Sequence, residues 1–190
     1  MAGRLEIVCG PVGSGKSQEL ERRLFALQQA RMPFLLFRPD FLHSKMQDAI
    51  KTGTDKRAVE FMMHVAGKFP EAEAISVDGA NFYSLDILHA VETWMKKKRV
   101  ICAGLDTDFA GKPFETMAML LAIADDIHKL SAICTVCKKT ATRSQIVEID
   151  TKLPQDIAEQ SAFYEPRCLE CHQIPQDYMP KSNLRWMMER

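Results

Sequence analysis

The chain has 190 residues, 46% hydrophobic and 26% charged, with 25 basic and 25 acidic side chains. That length suffices for one domain with a substantial core, or one domain plus a small appendage. Zero formal net charge argues against a general nucleic-acid or membrane-surface role, and the longest apolar run, Met117 to Ala124, is far too short to span a bilayer. Nothing at the N-terminus reads as a signal peptide, and the six cysteines do not suggest a secreted disulfide framework. The expectation is a cytoplasmic protein.

In chain order, the apolar run Leu5–Cys9 reads as a buried strand. It leads into Gly10-Pro11-Val12-Gly13-Ser14-Gly15-Lys16-Ser17, which fits G-x-x-x-x-G-K-[ST], the phosphate-binding loop. Glycines let successive backbone N–H groups curl around phosphate oxygens, and the helix start adds its positive dipole end. In such a loop Lys16 reaches the β- and γ-phosphates and the Ser17 hydroxyl holds Mg²⁺. A helix is expected over Ser17–Arg31, with Leu20, Leu24, Leu27 and Gln28 on one side and Glu21, Arg22 and Arg23 on the other.

Further apolar runs follow at Phe34–Phe37, Ala74–Val77, Val100–Ala103 and Leu130–Cys134, with helix-period segments at Leu85–Lys97 and Pro113–Ala124. The alternation predicts an α/β fold with a mainly parallel sheet, whose strands are apolar on both faces. Arg38 to Glu73 lacks clear periodicity. Ser44–Lys51 reads as partly helical, and Lys51-Thr52-Gly53-Thr54-Asp55 as a turn. Lys96-Lys97-Lys98-Arg99 reads as a solvated helix end. Cys9 and Cys102 lie in strand-like runs and are expected to be buried and inert.

Asp78 closes the Ala74–Val77 run. A carboxylate at that position beside a phosphate loop is the usual second contact for Mg²⁺. Gly104-Leu105-Asp106-Thr107-Asp108-Phe109 follows a later strand at the same sheet edge, where ligands of open α/β sheets collect. Leu105, Phe109 and Phe114 can wall a pocket for a flat ring there, or simply be core.

From about Ser131 the character changes. Cys134-x-x-Cys137 and Cys168-x-x-Cys171 are two knuckles that together supply four thiolates for a structural zinc ion. The 30 residues between them exceed the ~15–20 of the short ribbon pattern, so the metal closes a sizeable loop. His172 is a competing ligand, but full thiolate ligation is simpler. The predicted division is a phosphate-loop core over 1–130 and a small zinc-binding domain with a tail over 131–190.

Four segments together resemble the type II, zinc-containing thymidine kinases. They are Gly10–Ser17, Gly104-Leu105-Asp106-Thr107-Asp108-Phe109-Ala110-Gly111-Lys112-Pro113-Phe114, Lys129–Cys137 and Tyr164-Glu165-Pro166-Arg167-Cys168-Leu169-Glu170-Cys171-His172. The resemblance implies a parallel-sheet core with a zinc-ribbon-like lasso domain, often in a tetramer, that transfers the γ-phosphoryl of ATP to the thymidine 5′-hydroxyl. It assigns Gly10 to Ser17 and Asp78, Gly79, Ala80 and Asn81 to the nucleotide, with Lys16 and Asp78 catalytic. It places Leu105, Phe109, Phe114, Phe82 and Ser144 around the base, and Tyr164 in the lasso.

The chain also departs from that family. The family motif Asp-Glu-(Ala/Gly)-Gln-Phe-Phe carries the catalytic base at its glutamate, whereas the sequence here is Asp78-Gly79-Ala80-Asn81-Phe82-Tyr83. The family's Asp-x-Arg is out of register after Arg38-Pro39. Glu159 and Gln160 stand where the lasso has glycines, and Gly13 replaces a phenylalanine. A missing general base removes typically ~10²–10⁴-fold of rate, yet phosphoryl transfer rests mainly on positioning and charge neutralisation. Asp40, Asp108 and Glu159 are candidate substitutes. Three readings follow: a thymidine or related deoxynucleoside kinase, an ATP-binding protein with impaired transfer, and a phosphate-loop kinase with a different acceptor.

Overall fold

The computed structural model describes residues 3–40, 42, 49–148 and 163–174. Its core is a six-stranded, all-parallel sheet formed by β1 (Arg4–Cys9), β2 (Phe34–Pro39), β3 (Ile50–Thr52), β4 (Ala74–Val77), β5 (Arg99–Gly104) and β6 (Asp126–Lys129). The strand order is β3-β2-β4-β5-β1-β6. Successive side chains of a strand point to opposite faces. Leu5, Ile7 and Cys9 therefore pack on α2 (Lys56–Lys68), α3 (Ile87–Met95) and α4 (Glu115–Ile123), through Met62, Val91, Trp94 and Leu120. Val8, with Ile101 and Ala103 of β5, packs on Leu20, Leu24 and Leu27 of α1 (Lys16–Gln29).

Beyond the sheet the chain forms a small lobe. In it β7 (Ala132–Ile133) pairs with β8 (Thr140–Ala141), and β9 (Arg143–Glu148) with β10 (Phe163–Arg167), both antiparallel. Cys134, Cys168 and Ala141 form the buried centre of the lobe.

Several expectations need correction. The last sheet strand is β6, four residues before the Leu130–Cys134 run. All four β6 residues are exposed at the sheet edge, so no apolar run marks it. Lys51 and Thr52 are strand, not turn, because β3 pairs with Phe37–Pro39 of β2. The segment without clear periodicity contains α2, which Asp55 caps by accepting the Ala58 N–H at 3.0 Å. Most of the expected Ser44–Lys51 helix lies outside the described residues.

On α1, Arg23 belongs to the buried side and Gln28 to the exposed one. The Arg23 guanidinium reaches into the sheet, donating from Nη1 to Glu6 Oε2 at 2.6 Å. The basic run is only partly solvated. Lys98 Nζ donates to the Pro70 and Ala72 carbonyls, and Arg99 Nε to Glu6 Oε1 at 2.6 Å. Cys9 and Cys102 are buried, and burial pushes their thiols up to about 11 and 12.

Candidate active site

Three loops meet at the C-terminal edge of the sheet. The first leaves β1 and holds Gly10, Gly13 and Gly15 at φ of 144°, 73° and 85°, a region that disfavours any residue with a Cβ. A Cβ on Gly10 would lie 2.4 Å from the Leu130 carbonyl oxygen, so the loop root admits only glycine. The loop closes with Ser14 N–H donating to the Pro11 carbonyl at 3.2 Å, and Lys16 Nζ donating to the same carbonyl at 2.7 Å. Ser14 Oγ is buried without a hydrogen-bond partner among the described residues. Ser17 is exposed in the first turn of α1. Burial pulls Lys16 down to about 8, against the opposing pull of Asp106 and Asp78. Turned glycines, a half-free lysine and an orphan hydroxyl make a cradle that fits a phosphate chain.

The second loop leaves β4. Asp78 is half-buried, and burial raises its carboxyl above the usual range although the Arg38 guanidinium and the Gly79 N–H oppose this. Arg38 is itself buried, its Nε 3.9 Å from Asp78 Oδ2. Gly79 is left-handed, φ 64° and ψ 35°, and opens the short 3-10 turn Ala80–Phe82. A Cβ there would meet Leu42 Cδ1 at 2.5 Å and Phe82 Cδ2 at 3.2 Å. The position where the resemblance implies a glutamate thus has a backbone and surroundings that disfavour a side chain. Asn81 is buried and its Oδ1 accepts the Leu105 N–H at 2.9 Å, tying this loop to the next.

The third loop leaves β5. Phe82 and Phe114 approach edge to face, centroids 6.4 Å apart, while Phe109 is buried and Leu105 half-buried. Asp108 Oδ1 accepts the Ala110 and Lys112 N–H groups at 2.9 and 2.8 Å. Asp40, by contrast, is exposed and pairs with Lys51 at 3.1 Å. Glu159 and Gln160 lie outside the described residues. Asp106 is a carboxylate that the sequence reading passed over. It is buried, with Lys129 Nζ 2.9 Å from Oδ2, and neither oxygen takes a well-aligned hydrogen bond among the described residues. Like Asp78 after β4, Asp106 follows the end of a buried strand, two positions beyond β5.

The small lobe lies against two of these loops. Ser144 is buried and its Oγ accepts the Val12 N–H at 3.1 Å. Pro166, the register partner of Ser144, lies beside Gly13. Tyr164, half-buried, pairs with Ile146 across the same hairpin. The Sγ atoms of Cys134, Cys137, Cys168 and Cys171 all lie within 4.8 Å of one another. Tetrahedral zinc–thiolate bonds put sulfurs about 3.8 Å apart, so the donor set fits zinc. Burial raises the Cys134 thiol, but N–H groups of Cys137, Cys168 and Val136 outweigh it and hold it down to about 6. Cys171, donating to neighbouring sulfurs, is pushed up to about 12. Four thiols at this spacing ionise together only around a cation. His172 is not among the clustered donors.

A phosphate-type loop at the C-terminal edge of a parallel sheet, with a four-cysteine lobe against it, defines an α/β protein whose cysteine cluster could hold zinc. The model of the thymidine kinase family matches residues 3–172, and the chain belongs to that family. Membership makes it a nucleoside-kinase relative that uses a nucleotide. No described helix is long and apolar enough to cross a membrane.

Proposed function

We propose that this protein transfers the γ-phosphoryl group of ATP to the 5′-hydroxyl of a deoxynucleoside, thymidine first among them. The observation that carries this reading is Lys16, half-buried in a loop of left-handed glycines beside Asp78 and Asp106, in a chain that belongs to the thymidine kinase family. In this reading the N–H groups of Gly13, Gly15, Lys16 and Ser17 take the phosphates while that of Ser14 holds the turn through the Pro11 carbonyl, and the Lys16 ammonium leaves that carbonyl to neutralise the β- and γ-oxygens. Ser17 and Asp78 hold Mg²⁺, which offsets charge on the transferring group. Phe82, Leu105, Phe109 and Phe114 enclose the base with Ser144, and Tyr164 borders it. Zinc in the Cys134, Cys137, Cys168 and Cys171 cluster is structural, because four protein ligands leave no open position. A homo-tetramer in the cytoplasm, acting on neither nucleic acid nor membrane, completes the proposal.

Transfer from radiolabelled ATP to a panel of deoxynucleosides tests it. Thymidine monophosphate should form with the parent chain, and Lys16→Ala should abolish it. Gly79 motivates the second reading, a protein that binds ATP without transferring. ATP binding with no product from any deoxynucleoside would remove the first reading and leave the second beside a kinase with a different acceptor, which a wider acceptor panel separates.

A further inference from the structure

The loop from Asp106 to Phe114 carries the buried Phe109 and is stitched mostly to itself. Asp108 N–H donates to the Lys112 carbonyl at 2.8 Å, and Gly111 N–H to the Asp108 carbonyl at 3.1 Å, with Gly111 left-handed at φ 76°. The small lobe adds a contact from outside. His172 Nε2 lies 2.7 Å from the Phe109 carbonyl oxygen. A carbonyl only accepts, so Nε2 carries the proton. That nitrogen is then committed to the loop and not to a metal.

His172 is itself held from both sides. Its backbone N–H donates to the Cys168 carbonyl at 3.0 Å, which fixes it to the second knuckle. The next residue, Gln173, is gripped by the buried side chain of Gln145. The Gln145 Oε1 accepts Gln173 N–H at 2.7 Å, and its Nε2 donates to the Gln173 carbonyl at 2.7 Å. A side-chain amide thus takes the place of a strand partner on β9. The imidazole is presented by a rigid mount, which is what a positional role requires.

We propose that His172 is a positioning residue that latches the Phe109 loop to the cysteine lobe and so fixes one wall of the acceptor pocket. Its effect on turnover rests on the nucleoside-kinase reading above, whereas the latch itself does not. Loss of one hydrogen bond changes local opening by about five- to tenfold.

The test uses the full-length zinc-loaded chain and two variants, His172→Phe and His172→Gln. Glutamine places an N–H donor at nearly the reach of Nε2. Zinc content, hydrogen exchange of the 105–114 peptide, and the KM values for thymidine and ATP are measured together. His172→Phe should keep its zinc, exchange about five- to tenfold faster over 105–114, and raise KM for thymidine by a similar factor with kcat and the ATP KM little changed. His172→Gln should restore both. If His172→Phe fails to accumulate, His172→Ala gives the same reading without added bulk. Unchanged exchange over 105–114, or loss of zinc with the imidazole, would overturn the latch. So would a His172→Gln variant that behaves like His172→Phe. If no chain turns over any deoxynucleoside but exchange responds as described, the latch stands and the kinase reading falls.

Discussion

At the scale of single residues, Gly79 is where sequence comparison and geometry meet most sharply. The family's base position here has φ 64° and a Cβ direction filled by Leu42. Gly79→Ala should therefore destabilise the chain by about 1–2 kcal/mol from backbone conformation alone, read as a lowered midpoint in urea. Gly79→Glu should cost at least as much, so it is a poor test of the missing base by itself. Adding Leu42→Ala clears the end of the leucine side chain, and the double variant should be more stable than Gly79→Glu. If the missing base limits the reaction, the double variant should also transfer phosphoryl groups about 10²–10⁴-fold faster than the parent. A stable double variant with unchanged turnover would mean that another group does that work or that the step needs none. Gly10→Ala is a second residue-scale case. Its Cβ would strike the Leu130 carbonyl, so ATP binding should fall by more than tenfold, as measured by calorimetry; parent-like affinity would show that the loop root tolerates displacement.

At the scale of elements, the face of β1 turned toward α1 is not wholly apolar. Glu6 is buried in it, between Arg23 of α1 and Arg99 of β5, with Arg4 at its edge. Burial alone would raise the Glu6 carboxyl; the hydrogen bonds and charges of Arg99 and Arg4 outweigh it and hold the group below its ordinary value. A carboxylate depressed in the folded state contributes stability above its unfolded pKa of about 4.3 and loses it as pH falls through the folded value. Thermal midpoints should therefore drop below about pH 4.3, and Glu6→Gln should flatten that drop. At neutral pH Glu6→Gln takes from Arg99 its carboxylate partner and leaves Arg23 with Glu19 and Asp126, and should cost about 2 kcal/mol. A parent-like pH profile in the variant would contradict this assignment.

The same pair shows what patterning hides. Arg23 reads as solvent-facing because its charge is visible in the chain and Glu6 lies 17 positions away. Strand β6 is invisible for the complementary reason: its residues are exposed and all but Ile127 are polar, and Glu6 to Cys9 of β1 give it a partner. The phosphate loop and the cysteine pairs are legible because their chemistry is local, fixed by spacing within eight and four residues. Asp106 and Arg38 are not, since each depends on which strands the sheet order brings together, and neither is the contact of Ser144 with Val12, which depends on how the small lobe docks.

At the scale of the whole molecule, β9 acts as a wedge between two loops of the core. Alternate residues of a strand face opposite ways. Ser144 meets the Val12 N–H of the phosphate loop, while Arg143 lies near Gly111 of the Phe109 loop and Gln145 holds the strap that carries His172. Pro166, opposite Ser144 on β10, extends the contact to Gly13. The hairpin is anchored in turn on the cysteine knuckles, with Thr135 N–H donating to the Pro166 carbonyl at 3.2 Å and Thr142 N–H to the Arg167 carbonyl at 3.2 Å. What clamps the four sulfurs therefore also bears on the nucleotide cradle. On the proposal that zinc fills the cluster, a chelator should speed hydrogen exchange in the 143–147 and 163–167 strands first. Exchange in the 10–15 loop should follow, and ATP affinity should fall about five- to tenfold, the worth of the single Val12 hydrogen bond. Ser144→Ala, with zinc retained, should reproduce the loss of affinity without loosening the lobe. A chelated chain whose lobe exchanges freely while its phosphate loop and ATP affinity stay at parent values would show that the wedge carries no load.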